Sequence, residues 1–135
     1  MRSFIDTNVL VYADDAYDKG KQRVAIDLVV SLRRSRAGVL SVQVLQEYYV
    51  NAIQKLKLDA AFARRRVELF GRFETVRPDV GLVLGAIDLQ RLHPLSFWDA
   101  MILEAARVSG CGAVLSEDMQ PGATIAGVKI VNPFA

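Results

Sequence analysis

Apolar residues follow two rhythms along the chain. Short runs bounded by polar or turn-forming residues read as buried strands: Phe4-Ile5, Val39-Leu40, Ala113-Val114-Leu115 and Val128 to Val131. Thr75-Val76-Arg77 is a further candidate strand, stopped by Pro78. Between these runs the apolar spacing becomes helical. Ala25, Leu28, Val29 and Leu32 fall at i, i+3, i+4 and i+7 and predict a helix from about Gln22 to Arg33, closed by Arg33, Arg34 and Arg36. Ser41 can cap the next helix, with Leu45, Tyr49, Ala52, Ile53 and Leu56 on one face. Asp59 caps Ala60 to Phe70, and Asp79 caps Val80 to Leu92, where His93-Pro94 ends the helix. Ser96 opens Phe97 to Val108, and Asp14 to Lys21 is a polar loop or a frayed helix end. Short strands alternating with longer helices predict an α/β fold on a short, mostly parallel sheet flanked by helices. No repeat, low-complexity stretch or linker divides residues 1–135, so a single domain is expected.

Composition narrows the class. A chain of 135 residues with 52% hydrophobic and 24% charged residues can bury a core without disulfides. The lone Cys111 suits a reducing compartment. The N-terminus lacks signal-peptide architecture, and no apolar run approaches the ~20 residues of a membrane span. A cytoplasmic protein with no membrane partner is expected. A net charge of +2 does not by itself announce a nucleic-acid binder.

The chemistry gathers around Ser3-Phe4-Ile5-Asp6-Thr7-Asn8-Val9-Leu10. Asp6 interrupts an apolar run where a strand ends and a helix begins, which in a parallel sheet is the ligand-binding edge. An ionised Asp there needs a metal, a base or backbone N–H groups. Asp118 follows the strand Ala113-Val114-Leu115. Asp99 lies in the first turn after Ser96, and Glu47 lies early in the helix after the second strand. Four carboxylates at one edge repel unless a divalent cation joins them, and oxygen-only donors point to Mg²⁺ or Mn²⁺. Such a site acidifies water and neutralises a phosphodiester.

Each residue also has a purely structural alternative. Asp6 could cap the following helix, although Thr7 and Asn8 are themselves cap types. Ser96-Phe97-Trp98-Asp99 fits a capping box. Glu47 falls opposite the Leu45, Tyr49 and Ala52 face, where a solvated Glu is ordinary, although Val42, Val44, Tyr48 and Val50 flank it. Asp118 could be a turn former with Glu117 as the ligand. His93 reads as a helix-end partner, Cys111 as a small buried residue, and Phe97 and Trp98 as core or interface. Among the basic residues, Arg33, Arg34 and Arg36 form one cluster and Lys55, Lys57, Arg64, Arg65, Arg66 and Arg72 another. They form either a solvated surface or a phosphate-tracking patch, with Arg64, Arg65, Lys55 and Lys57 as candidate nucleic-acid phosphate contacts.

The ordered set Phe4-Ile5-Asp6-Thr7-Asn8-Val9-Leu10, Ser41 to Glu47, Leu95-Ser96-Phe97-Trp98-Asp99-Ala100, Leu115-Ser116-Glu117-Asp118 and Asn132-Pro133-Phe134 resembles the PIN-domain nucleases, most closely the VapC-type toxin ribonucleases. The resemblance covers essentially the whole chain. It implies a Rossmann-like sheet with an acidic Mg²⁺ (or Mn²⁺) site. By motif match Asp6, Glu47, Asp99 and Asp118 would be the catalytic acids, with Asp6, Asp99 and Asp118 on the metal. It selects Asp118 over Glu117 and favours Glu47 as functional. Thr7, Asn8 and Ser116 would orient carboxylates or water. The implied reaction is metal-dependent hydrolysis of RNA without a covalent enzyme intermediate. The toxin reading also implies an antitoxin bound near the site and a homodimer.

Competing readings share parts of this pattern. A housekeeping RNA-processing nuclease of the family has the same acidic set. A haloacid-dehalogenase-like phosphatase needs a second acid where Asn8 stands. A phosphoacceptor receiver domain needs an acidic pair at the first strand's end, and Asp14-Asp15 comes too late. A non-catalytic binding module on the same fold is the remaining alternative, against which the intact acidic set argues.

Overall fold

The computed structural model describes residues 1–135. Its order is β1 (Ser3–Ile5), α1 (Thr7–Ala13), α2 (Lys19–Ser35), β2 (Gly38–Ser41), α3 (Val42–Gln54), α4 (Ala60–Phe70), β3 (Glu74–Val76), α5 (Val80–Leu92), α6 (Phe97–Val108), β4 (Ala113–Leu115), β5 (Thr124–Ile125) and β6 (Val128–Val131). The strands form one six-stranded sheet in the order β3-β2-β1-β4-β6-β5. All pairings are parallel except β5 with β6. From β1 the chain builds outward to β2 and β3, then returns to the other side of β1 as β4. The β1/β4 boundary is therefore the switch point, where the ends of a parallel sheet open a crevice for ligands.

Local chemistry sets the helix starts. Asp18, Ser41, Asp59, Asp79 and Ser96 each accept a backbone N–H from the first turn of the helix that follows. Each such cap contributes about 1 kcal/mol. One continuous core joins strand residues Phe4, Ile5, Leu40, Val114 and Ile130 to helix residues such as Tyr48 and Leu103. α6 is buried continuously from Ala100 to Ala106, which fixes its N-terminal Asp99 relative to the sheet.

Four expectations change. α2 begins at Lys19 rather than near Gln22, because Asp18 caps it through the Lys21 N–H. β3 runs Glu74–Val76, in register with Val39 to Ser41, so Arg77 before Pro78 falls outside it. β5 was not foreseen: a two-residue strand shows no period, and the Ala126-Gly127 turn that makes the hairpin has positive φ at both residues (51° and 81°) without the usual Asn-Gly signature. α3 is rotated from its expected face. Val44, Tyr48 and Ala52 are buried, whereas Tyr49 is exposed, because α3 packs against both α1 and α4.

Candidate active site

Asp6 is the N-cap of α1 and sits at the C-terminal end of β1, only 7% exposed. Its Oδ1 accepts the Thr7 backbone N–H at 2.7 Å, and its Oδ2 accepts the Ser116 hydroxyl at 2.7 Å. The cap and the floor of the crevice are thus the same side chain. Burial pushes the Asp6 carboxyl up to about 6; the Ser116 and Thr7 hydrogen bonds oppose this, and the charges of Glu47 and Asp99 add to it. None of the ion pairs in the molecule includes Asp6.

The other acids come from three separate elements. Thr7 Oγ1 donates to Glu47 Oε1 at 2.7 Å, linking α1 to α3. Glu47 is half-buried; the rotation of α3 that exposes Tyr49 brings Glu47 to the crevice wall instead of leaving it on a solvent face. Gln43, one turn earlier, donates through Nε2 to Glu47 Oε2 at 3.4 Å and to the Trp98 carbonyl at 3.2 Å. This bridge was not anticipated, although Gln43 and Glu47 are i, i+4 neighbours on one helix face. The N-cap half of the expected capping box forms, since the Asp99 N–H donates to Ser96 Oγ at 3.1 Å, and the Asp99 residue also lines the crevice. Burial raises the Asp99 carboxyl, the Ser96 hydrogen bond opposes this, and Glu47 and Asp118 add to it.

Asp118 stands exposed on the turn after β4, where Asn8 Nδ2 donates to its Oδ2 at 3.1 Å. Ser116 Oγ accepts the N–H groups of Asp118 and Met119, at 3.2 and 3.4 Å, which shapes the turn. Glu117 is engaged differently: Tyr12 donates to its Oε1 at 2.7 Å and Lys21 Nζ lies 2.6 Å from its Oε2. Those two contacts hold the Glu117 carboxyl below the usual range.

Together these groups line a crevice of about 730 Å³. Asp6, Asp15, Glu47, Asp99, Glu117 and Asp118 all face it, with Lys55 as the basic side chain opposite them. The donor set is oxygen only, which suits Mg²⁺ or Mn²⁺ in its chemistry. The side chains stand apart, with no three carboxylates converging on a point for one ion. Glu47 is turned to Thr7 and Asp118 to Asn8, so a bound ion would have to draw them in.

The basic residues divide. Lys55 lines the crevice, and Lys57 sits just beyond it with a positive φ of 57°. Arg64 and Arg65 pair with Glu68 on the surface of α4. Arg65 and Arg66 line a separate groove between α2 and α4, together with Arg33, which stacks on Phe73. Cys111 is buried, and burial raises its thiol. Trp98 is exposed beside the crevice, while Phe97 packs on the core.

A parallel sheet with its acids at the β1/β4 switch point is the arrangement of a PIN domain. The PIN domain family model matches residues 3–121, and the chain belongs to that family. No curated protein sequence matches it significantly. Among solved structures it is similar to the sarcin-ricin loop cleaving toxin VapC20 of Mycobacterium tuberculosis, at 20% identity and TM-score 0.64, over 86% of this chain and 89% of that one. It is similar to a toxin–antitoxin complex from Klebsiella pneumoniae, at 18% identity and TM-score 0.69, over 97% of each chain. VapBC2 from Rickettsia felis, bound to a DNA fragment from its promoter, is similar at 14% identity and TM-score 0.65, over 96% of this chain and 97% of that one. At these identities the likeness establishes the fold.

Proposed function

We propose that this chain is a divalent-metal-dependent endoribonuclease and the toxin of a toxin–antitoxin pair. One observation carries the nuclease reading: Asp6 is buried at the crevice floor, without a cationic partner, under the field of Glu47 and Asp99. A buried carboxyl raised by burial and by the charges of neighbouring carboxylates, in a solvent-open crevice, is poorly arranged for stability and well arranged for a cation.

In this reading Asp6, Asp99 and Asp118 would hold Mg²⁺ or Mn²⁺, and Glu47 would complete the acidic set and take up the proton of the attacking water. The ion, when bound, neutralises charge on an RNA phosphodiester and acidifies a water. Thr7 fixes the orientation of Glu47, Asn8 that of Asp118, and Ser116 that of Asp6. Lys55 is the crevice cation placed to meet a phosphate. The chain's own contribution is positioning and charge placement.

The likeness to toxin and toxin–antitoxin structures, over 86% to 97% of this chain, supports the toxin role with a cognate antitoxin as partner. A second copy of the chain as partner, cytoplasmic RNA as target and one domain spanning residues 1–135 belong to the same reading. The chain has no helix long and apolar enough to cross a membrane.

The test incubates purified protein with RNA in Mn²⁺, in Mg²⁺ and in chelator. Cleavage is expected only with metal. Asp6→Asn should lose at least roughly a thousandfold in rate, a barrier increase of about 4 kcal/mol. Metal-independent cleavage, or full activity in Asp6→Asn, would sink the assignment. Growth arrest on expression, relieved by Asp6→Asn, tests the toxin role separately.

A further inference from the structure

The turn that carries Asp118 is held by two sets of contacts. In the first, Asn8 Oδ1 accepts the Glu117 backbone N–H at 3.2 Å while Asn8 Nδ2 donates to Asp118. The second comes from two residues with no role in the acidic set, Tyr12, itself on the crevice lining, and Lys21. Tyr12, on α1, donates its hydroxyl to Glu117 Oε1, and Lys21, on the first turn of α2, reaches Glu117 Oε2. Lys21 Nζ also lies 3.3 Å from the Tyr12 hydroxyl, 4.9 Å from the Tyr12 ring centre and 6.0 Å from that of Phe134. Phe134 meets Tyr12 edge-on at 4.9 Å, so the aromatic pair backs the ammonium group.

Both oxygens of Glu117 are thereby occupied, although it faces the same crevice as its neighbour Asp118. A carboxylate one residue from a candidate ligand could compete for a cation. Here it is tied to a lysine and a phenol instead. The tie joins three elements: the end of β4, α1 and α2.

We propose that Lys21 and Tyr12 are positioning residues which, by holding Glu117, set where the neighbouring Asp118 stands in the crevice. The proposal rests on the metal-nuclease reading. It makes the α1–α2 junction, rather than the acidic set alone, a determinant of metal affinity.

Thermal-shift titration with Mn²⁺ alone, without substrate, tests it, because binding to the folded state raises the midpoint by an amount set by the ratio of free Mn²⁺ to its Kd. Lys21→Met should need roughly fivefold more Mn²⁺ for the same midpoint shift, the scale of a partly exposed ion pair. Lys21→Arg should restore the wild-type value. Tyr12→Phe removes only the hydroxyl and should raise the Mn²⁺ needed by less; it also serves if Lys21→Met folds poorly. With RNA, Lys21→Met at fixed Mn²⁺ should lower kcat and leave KM unchanged. If the wild type responds to Mn²⁺ and both Lys21→Met and Tyr12→Phe titrate like it, the positioning role falls and the nuclease reading stands. If the wild type shows no Mn²⁺ response, both fall together.

Discussion

Two carboxylates are almost fully buried in this molecule, and they are treated in opposite ways. Glu104, on α6, is 3% exposed and is met by both arms of the Arg107 guanidinium, at 2.6 and 2.7 Å. Gly85 of α5 makes room for it, since a Cβ there would lie 1.9 Å from Glu104 Oε2. Asp6 is 7% exposed and receives one hydroxyl and one backbone N–H, with further carboxylates as its charged neighbours. The first arrangement satisfies a buried charge with a bidentate partner. The second leaves negative charge uncompensated in a crevice open to solvent. Burial alone therefore does not set Asp6 apart; the absence of a cationic partner does.

The sharpest way to break this comparison is to neutralise each acid in turn. Asp6→Asn should abolish metal-dependent cleavage, as set out above, whereas Glu104→Gln should leave kcat and KM within about twofold of wild type, since it touches no crevice residue. Equal losses in both variants would mean that burial, not lack of a partner, is what matters. Removing the partner gives the next largest effect. Arg107→Met strands the Glu104 carboxylate, which should cost on the order of 2–4 kcal/mol in denaturant unfolding, with the half-exposed position of Arg107 keeping it below the fully buried range. A loss under about 0.5 kcal/mol would show that water reaches Glu104 and that the pair is ornamental.

The pH dependence of stability sharpens the contrast from the other side. The Asp6 carboxyl in the folded chain sits at about 6, above its ordinary value of 3.8. The folded state therefore holds this proton more tightly than the unfolded state does. The resulting stability is complete below about pH 4 and is lost as pH rises through 6. Without metal, the wild type should lose on the order of 2–3 kcal/mol across that window through this group. Asp6→Asn should not show this component and should be at least as stable as the wild type at pH 8. Mn²⁺ should recover the wild-type stability and leave the variant unmoved. A wild-type chain whose stability rises between pH 4 and 6 by the same amount as that of Asp6→Asn would contradict the raised carboxyl.

How much of this was legible beforehand depends on the range of the signal. Caps are local, so Ser41, Asp59, Asp79 and Ser96 marked the starts of four helices in the sequence as they do in the structure. Asp6 was legible because a charge inside an apolar run is conspicuous by itself. Glu47 was not: a helical wheel ranks faces by counting apolar residues, and α3 is covered from two sides, so the wheel chose the wrong one and left Glu47 in solvent. The motif resemblance grouped it with the other acids, and in the structure it lines the same crevice. The basic residues show the opposite failure. Arg64 and Arg65 adjoin Lys55 and Lys57 in sequence, yet the turn before α4 sends them to a different surface. The ties among Tyr12, Lys21 and Glu117 span about a hundred residues and had no sequence signal.

The mouth of the crevice offers the gentlest test of the same contrast. Glu104 is closed off by its own Arg107, whereas the Asp6 crevice is lined by Tyr17, which is 95% exposed and whose backbone N–H donates to Asp15 Oδ1 at 3.0 Å. Six acids and a single lysine line this crevice, so on the proposed nuclease reading an RNA would be gripped largely by means other than attraction of its phosphates to basic side chains there. The exposed ring offers a face for an unpaired base, worth roughly 1–3 kcal/mol per stacked base. Tyr17→Ala should therefore raise KM for single-stranded RNA by about tenfold with kcat nearly unchanged, and Tyr17→Trp should retain affinity. Steady-state cleavage of a short labelled oligonucleotide reads both constants. If Tyr17→Ala lowers kcat and leaves KM alone, the ring shapes the α1–α2 loop instead of meeting the substrate.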